Sequence, residues 1–164
     1  MAVTIRPGGP DDFDAALAVY NVSSTARRGG KQVEDWRLAE VRAEIAHPEG
    51  WLLMAEDEGV AVGMATAMPS RREHGQGELV PGLCYLGLVF VVPERWGERI
   101  GSRLTDLMLD EAKARGFTRI HLWTHENNAR AHALYGPRGF VRTGANEPGG
   151  NDPEILSEEW ERSL

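Results

Sequence analysis

One long apolar run, LCYLGLVFVV at residues 83–92, constrains the fold more than any other stretch of this chain. It is about half as long as a membrane-spanning helix requires, and it is therefore expected to be a buried strand. The turn PERWGERIG at 93–101 follows, and the segment after it has the apolar spacing of a helix ended by Gly116. The apolar face of this helix is expected to contain Ile100, Leu104, Leu107, Met108 and Ala112. The sequence thus predicts a strand, a short turn and a helix in direct succession.

Shorter patterns surround this central stretch. A strand is predicted at 3–6, followed by two helices and a hairpin around Asp57-Glu58-Gly59. The polar segment SRREHGQGELVPG at 70–82 is expected to be a mobile loop. A strand, a short helix and the strand FVRTG come after the long helix, and the tail at 152–164 could form an edge strand. This order predicts a mixed α+β sheet and not a regular βαβ fold.

Composition narrows the function. The chain has 164 residues and a net charge of −7, and this length suits a single domain, 1–164. No Lys/Arg block exceeds two residues, so nucleic-acid binding is not expected. The longest apolar run, at 83–92, is too short for a membrane helix, so no membrane partner is expected. The first residues lack the apolar stretch of a signal peptide, which favours a cytoplasmic protein. The single cysteine, Cys84, lies inside the apolar run and is interpreted as a small buried hydrophobic residue and not as a nucleophile.

The turn at 93–101 allows two interpretations. The N-terminus of a helix presents unpaired N–H groups to an anion, and Gly97 and Gly101 leave room for close approach. Arg95, Arg99 and Arg103 are spaced by four, so two or three of them could converge on a phosphate. The alternative is a tight turn that begins a surface helix with solvated arginines. A dinucleotide fingerprint is a poor explanation, because its glycine spacing and its βαβ unit are both missing.

Two motifs at the right separation resemble the GNAT superfamily of acyl-CoA-dependent N-acetyltransferases, most clearly over 82–144. The family's loop motif, Q/R-x-x-G-x-G/A, falls on residues 96–101, where Gly101 fits, Trp96 replaces the first residue and Arg99 replaces the central glycine. The second motif, N-x-x-A-x-x-L-Y-x-x-x-G-F, matches at Asn128, Ala131, Leu134, Tyr135, Gly139 and Phe140. The resemblance implies a mixed, mostly antiparallel sheet of six to seven strands. This sheet would be splayed between strands 4 and 5 and flanked by about four helices.

The resemblance also implies where acetyl-CoA, the acetyl donor, would bind. Its pantetheine arm would pair with the backbone of Val89, Phe90 and Val91. Its pyrophosphate would lie on backbone N–H groups of Gly97, Glu98, Arg99, Ile100, Gly101 and Ser102. We hypothesise that the Arg99 guanidinium reaches a phosphate. Asn128 would hold the pantetheine, although it could instead cap a helix, a role that Asn127 could also fill. No metal is implied.

By the same resemblance, Tyr135 is the general acid that protonates the departing thiolate. The family often supplies a glutamate as base, but residues 82–92 contain no carboxylate. His121 and His125 are our candidate bases, with Glu126 as another candidate. Both histidines could equally be structural, buried and hydrogen-bonded. Trp123 and Trp36 are candidates for the acceptor site.

The sequence therefore predicts an N-acetyltransferase that transfers an acetyl group from acetyl-CoA to a primary amine by direct attack in a ternary complex. The acceptor is expected to be a small-molecule or peptide amine, and a homodimer is common in the family. Two alternatives stay open. One is a non-catalytic acyl-CoA-binding module, suggested by the altered loop and the missing carboxylate. The other is an unrelated nucleotide-binding α+β domain.

Overall fold

The computed structural model describes residues 2–149 and 154–164. Its strands are β1 Thr4–Pro7, β2 Trp51–Asp57, β3 Val60–Arg71, β4 Leu79–Val91, β5 Arg119–His125, β6 Val141–Pro148 and β7 Leu156–Ser163. Its helices are α1 Phe13–Arg27, α2 Asp35–Ile45, the one-turn α3 Arg72–Gly75, α4 Ile100–Ala114 and α5 Ala129–Tyr135. Short 3₁₀ turns lie at Pro10–Asp12, Pro93–Arg95 and Gly136–Arg138.

In the described part of the chain, seven strands hydrogen-bond in the order β1-β2-β3-β4-β5-β7-β6. The pairs β1–β2, β2–β3, β5–β7 and β6–β7 are antiparallel, whereas β4 and β5 are parallel. The parallel pairing covers only Leu83 to Tyr85 with Arg119 to His121, although β4 continues to Val91 and β5 to His125. The predicted mixed, mostly antiparallel sheet with a splay at β4 and β5 is therefore confirmed.

The chain divides into two compact units. The first unit contains Met1–Met68 and Leu86–Asp110, and the second contains Pro69–Tyr85 and Glu111–Leu164. In the first unit, apolar side chains of α1, α2 and the central strands form one buried cluster. Its buried members are Ala16, Val19, Tyr20, Val33, Val41, Ile45, Leu52, Met54, Met64 and Leu88. Burial of this apolar face is what holds α1 and α2 in place, since isolated helices of their length are marginal in water.

The helix after the turn has a buried face different from the predicted one. Ile100, Leu104, Met108 and Ala112 are buried as predicted, but Leu107 is 42% exposed, so its placement on that face is wrong. The buried arc extends from Ile100 around the helix to Thr105 and Leu109, and Leu107 lies beyond the Ile100 end of this arc.

The connection predicted at 70–82 is shorter in the structure, where only residues 72–78 lie between the two strands. Strand β3 continues through Arg71 and β4 begins at Leu79. The short connection is closed by hydrogen bonds from Arg72 N to Glu78 O (2.9 Å) and from Gly77 N to Arg72 O (2.8 Å). Within it, Glu73 and His74 both have a φ of 55°, in the left-handed region that ordinary residues rarely adopt.

The C-terminal tail is also placed differently from the prediction. Strand β7 pairs with β5 on one side and β6 on the other, so it is an interior strand, and β6 is the edge. Its charged side chains are accommodated by partners: Arg119 contacts Glu161 at 3.3 Å and Arg142 contacts Glu158 at 3.2 Å. The first two residues of the predicted tail strand, 152 and 153, lie outside the described residues.

Glu44 is a carboxylate in an unfavourable position in the first unit. Its Oε2 atom is buried and makes no hydrogen bond to any described residue. Burial raises the pKa of Glu44 to about 7 from the ordinary value of 4.5, and the nearby Arg37 lowers it less than burial raises it. The folded protein therefore binds this proton more tightly than the unfolded chain does, and stability is lost as the pH rises from about 4.5 to 7.

We expect Glu44→Gln to stabilise the protein above pH 7, because the glutamine has no charge to bury. The gain in the free energy of unfolding should be roughly 1–3 kcal/mol at pH 8 and should fade towards pH 4. Urea denaturation at both pH values measures it. Asp110→Asn, which removes an exposed carboxylate of α4, is the control and should show no such pH dependence. An equal gain at both pH values would contradict the assigned titration.

Candidate active site

The turn before α4 presents backbone N–H groups at its outer end. Gly97 and Arg99 have positive φ values of 89° and 63°, and the helix begins at Ile100. The N–H group of Arg103 donates to the carbonyl oxygen of Arg99 at 3.1 Å. The N–H groups of Ile100, Gly101 and Ser102 precede this bond and have no acceptor within the helix. Such a row of donors, with the positive end of the helix dipole, is suited to an anion.

Trp96 fixes the turn against the end of β4. Its indole Nε1–H donates to the carbonyl oxygen of Val91 at 2.8 Å. The two residues of β4 that precede Val91, Val89 and Phe90, are half-buried. The Phe90 ring packs edge-on to Tyr20, with 4.8 Å between ring centroids. The Phe90 side chain is thus committed to packing within the first unit, so any ligand contact of this residue would be made by its backbone.

Two of the three arginines in the turn have partners of their own. Arg95 donates to Asp57 at 2.9 Å and to Glu98 at 2.8 Å, and Arg103 donates to the carbonyl oxygen of Val3 at 2.9 Å. The Arg99 side chain is exposed and makes no hydrogen bond or ion pair with another described residue. Among the three arginines of this predicted cluster, Arg99 is therefore the one whose charge is not balanced by a described residue.

Arg99 is strained. The left-handed region costs an ordinary L-residue about 1–2 kcal/mol, whereas glycine enters it freely. The loop consequently has the backbone shape that a glycine would adopt, but with an arginine at this position.

In the second unit, Asn128 begins helix α5. Its side-chain oxygen accepts a hydrogen bond from the N–H group of Ala131 at 3.1 Å, so Asn128 and not Asn127 is the helix cap. The NH₂ group of the same side chain is a separate donor. Tyr135 ends the helix and is buried, with its ring edge-on to Phe140 at 5.4 Å. Both motif residues are therefore held in fixed positions, as a binding or proton-transfer role requires.

His121 and His125 lie in different surroundings. His121 is 8% exposed, and its two ring nitrogens contact Ser70 Oγ and Glu159 Oε2, each at 2.7 Å. His125 is half-buried, and its carbonyl oxygen accepts from the His132 ring at 3.2 Å. The sequence did not identify Ser70 or Glu159. Both residues are far from His121 in the sequence. Ser70 was predicted to lie in a loop but belongs to β3, and Glu159 was predicted to lie on an edge strand but belongs to the interior strand β7.

The remaining candidates lie on different elements. Trp123 is half-buried on β5 and pairs with Glu159 of β7, whereas Trp36 is 52% exposed on α2. Cys84 is fully buried, in agreement with its interpretation as a core residue. Within residues 2–149 and 154–164, no group of three or more His, Cys, Asp or Glu side chains is arranged to hold a metal. None of the helices in these residues is long and apolar enough to cross a membrane.

Comparison with known proteins identifies the family. Residues 15–140 match the Acetyltransferase (GNAT) family. The chain belongs to this family. It is 31% identical to a mycothiol acetyltransferase of Beutenbergia cavernae over 84% of this chain and 52% of that protein. It is 35% identical to the IAA acetyltransferase of Azospirillum brasilense over 68% of each protein. The chain spans about half the length of the mycothiol acetyltransferases that it matches.

A solved structure agrees in fold. The PaiA N-acetyltransferase of Thermoplasma acidophilum, in complex with coenzyme A, superposes with a TM-score of 0.73 at 16% identity and full coverage of both chains. Family membership removes the alternative of an unrelated nucleotide-binding domain. The loop that the GNAT family uses has, in this chain, a glycine-like backbone at Arg99.

We expect Arg99→Gly to be more stable than Arg99→Ala by about 1 kcal/mol, because only glycine relieves the left-handed strain. Equilibrium urea unfolding of both variants measures the difference. Both variants remove the charge of Arg99, but only glycine relieves the strained φ. The difference between their stabilities therefore measures backbone strain and not electrostatics. Equal stabilities would mean that the loop relaxes when the arginine is removed.

Proposed function

We propose that this chain is an N-acetyltransferase that transfers an acetyl group from acetyl-CoA to a primary amine by direct attack in a ternary complex. The observation that carries the proposal is the match to the GNAT family over residues 15–140. It is supported by a loop whose backbone has the conformation of a glycine at Arg99. We also propose that 1–164 is a single acetyltransferase domain and that it acts in the cytoplasm. A homodimer stays a prediction.

In the first unit, the cofactor contacts would come from the strand and the loop. Backbone groups of Val89, Phe90 and Val91 pair with the pantetheine arm. The pyrophosphate lies on the N–H groups of residues 97–102, including Glu98. The Arg99 guanidinium, which lacks a partner among the described residues, contacts a phosphate. The carbonyl oxygen of Val91 already accepts from Trp96, so only its second lone pair is available.

In the second unit, Asn128 contacts the pantetheine through its NH₂ group and Tyr135 donates a proton to the departing thiolate. The amine has to lose a proton as well. An alkyl ammonium with a pKa near 10 is neutral in about one molecule in 10³ at pH 7, which costs roughly 4 kcal/mol. His121 and His125 are the proposed acceptors of this proton, and the two hydrogen bonds of His121 favour it. Trp123 and Trp36 are proposed to contact the acceptor.

The acceptor is proposed to be a small-molecule or peptide amine. The names of the relatives differ, with mycothiol in one case and IAA in the other. The chain matches only about half of the mycothiol enzymes, so their substrate is not assigned to it.

Acetyl-CoA and CoA, but not ATP or NADH, should stabilise the protein against heat. A ligand at 100 times its Kd adds about 2.7 kcal/mol, which is several degrees for a domain of this size. Thermal unfolding with each ligand at about 1 mM measures this.

Arg99→Gly should bind acetyl-CoA more weakly and with a smaller salt dependence, while keeping the loop backbone. A screen of amino acids, polyamines, aminoglycosides and short peptides for CoA release then identifies the acceptor.

The outcomes of this screen separate the alternatives. Binding of acetyl-CoA without CoA release in the presence of any amine would favour the non-catalytic acyl-CoA-binding module. Absence of stabilisation by either CoA species would overturn the cofactor assignment.

Tyr135→Phe should reduce kcat by about 10²–10³ with little change in the Kd for acetyl-CoA, because it removes one proton donor and leaves the packing intact. Steady-state kinetics with the identified amine and binding calorimetry measure the two quantities. Tyr20→Phe, in the core of the first unit, is the matched control for loss of a buried phenol. A Tyr135→Phe variant with wild-type kcat would show that another group protonates the thiolate.

A further inference from the structure

Three side chains from three strands of the second unit form a continuous hydrogen-bonded chain. Ser70 of β3 lies 2.7 Å from His121 Nε2, and Glu159 of β7 lies 2.7 Å from His121 Nδ1. All three are buried or partly buried. We propose that this chain is a proton relay in which Ser70 receives the proton of the acceptor amine, His121 stores it and Glu159 positions the imidazole. This inference rests on the proposed function.

The carboxylate assigns the positions of the protons. An ionised carboxylate only accepts hydrogen bonds, so Nδ1 of His121 carries a hydrogen and donates it to Glu159. In the neutral ring, Nε2 is then the acceptor, and the Ser70 hydroxyl must be the donor. The second oxygen of Glu159 accepts from Thr143 Oγ1 at 2.7 Å, which holds the carboxylate in this orientation. A hydroxyl, an imidazole and a carboxylate are thus aligned in the order that general-base catalysis uses.

Hydrogen-bonding capacity determines which member of the chain can receive a proton from the substrate. Both ring nitrogens of His121 are engaged in hydrogen bonds, so an amine cannot donate to them directly. Ser70 is buried as well, but its oxygen keeps lone pairs after the hydroxyl hydrogen is donated. One N–H group of a bound amine can therefore donate to Ser70 Oγ. Ser70 is the entry to the relay.

The neighbouring carboxylate of Glu161 has a partner of its own. Glu161 pairs with His121 across β5 and β7, but its carboxylate contacts Arg119 at 3.3 Å. The Tyr85 ring of β4 lies 5.4 Å from the imidazole and carries no charge to balance. Glu159, which is hydrogen-bonded to Nδ1, is the carboxylate placed to stabilise an imidazolium.

An ammonium acceptor loses two protons in the reaction. The first passes through Ser70 Oγ and His121 to solvent and leaves the neutral amine. As the amine nitrogen then forms a bond to the acetyl carbonyl carbon, the carbon–sulfur bond breaks. The second proton moves from nitrogen to Ser70 Oγ, the hydroxyl proton of Ser70 moves to His121 Nε2, and the CoA thiolate takes the phenolic proton of Tyr135. Afterwards the imidazolium releases its proton to solvent and the tyrosinate recovers one, so the net products are the acetylated amine, CoA and one proton.

The proposed acid and base belong to opposite faces of the β5–β7 pair. His132 of α5, the helix that also carries Tyr135, stacks on Trp160 with ring centroids 5.1 Å apart. Trp160 follows Glu159 directly in β7, so their side chains point to opposite faces. One face therefore carries the helix with the proposed acid, and the other carries the relay. The acid and the base of the proposed step are therefore different groups on different elements.

The kinetic test uses two variants and a charge-matched control. With acetyl-CoA and the amine found in the screen, Ser70→Ala should lower kcat at pH 7 at least about tenfold. Glu159→Gln removes the carboxylate that accepts the Nδ1 hydrogen of the imidazole and should also lower kcat at least about tenfold, with little change in the Kd for acetyl-CoA. Glu161→Gln removes an equal charge from the same face and should leave kcat unchanged. Ser70→Ala with full activity, or an equal loss of kcat in both Gln variants, would overturn the relay.

A second measurement does not depend on turnover. Nitrogen-15 NMR of the His121 ring in the wild-type protein should show a neutral form with hydrogen on Nδ1 and none on Nε2. The opposite tautomer would overturn the relay even if a variant fails to fold. If acetyl-CoA binds but no amine is acetylated, the proposed function fails, and the relay fails with it as a catalytic device. If the wild-type protein acetylates an amine and both Ser70→Ala and Glu159→Gln keep its kcat, the relay alone is overturned.

Discussion

The short parallel ladder between β4 and β5 is the constraint on which the proposed chemistry depends. Hydrogen bonds in this ladder stop at Tyr85 and His121, while β4 continues to Val91. Buried backbone N–H and C=O groups need partners, so a strand that outlasts its ladder is prepared for another extended chain. A pantetheine arm with its amide groups has the hydrogen-bonding pattern of such a chain. The proposed pairing of the pantetheine arm with β4 follows this pattern.

The loop after β4 shows how local strain and binding are connected. Arg99 occupies a conformation that costs an arginine about 1–2 kcal/mol and a glycine almost nothing. Trp96 anchors the turn to Val91 and Arg95 is tied to Asp57, so the loop keeps its shape despite this cost. Strain held by surrounding contacts is typical of functional sites. Here the strained residue is also the cation that lacks a partner among the described groups, which connects the two observations.

The sequence predicted local structure well because local structure has a periodic signal. The strands, the hairpin at Glu58-Gly59 and the end of α4 shortly before Gly116 follow from spacing and from residues that tolerate a positive φ. Leu107 was misplaced because periodicity gives the width of a buried face poorly when neighbouring elements are unknown. The cap at Asn128 was ambiguous because two adjacent asparagines can both perform it. The cofactor residues could be proposed because their motifs are contiguous.

The relay could not be predicted for a different reason. Ser70 is 51 residues from His121 along the chain, and Glu159 is 38 residues from it, so no local pattern contains all three. Their meeting depends on the strand order, in which β7 inserts between β5 and β6. This order also places Glu159 behind the imidazole and not against the amine. A carboxylate in contact with an ammonium would stabilise the charged, unreactive form, whereas a neutral hydroxyl backed by an imidazole stabilises it less. The absence of a carboxylate from residues 82–92 is therefore compatible with base catalysis, because the negative charge acts one residue further from the substrate.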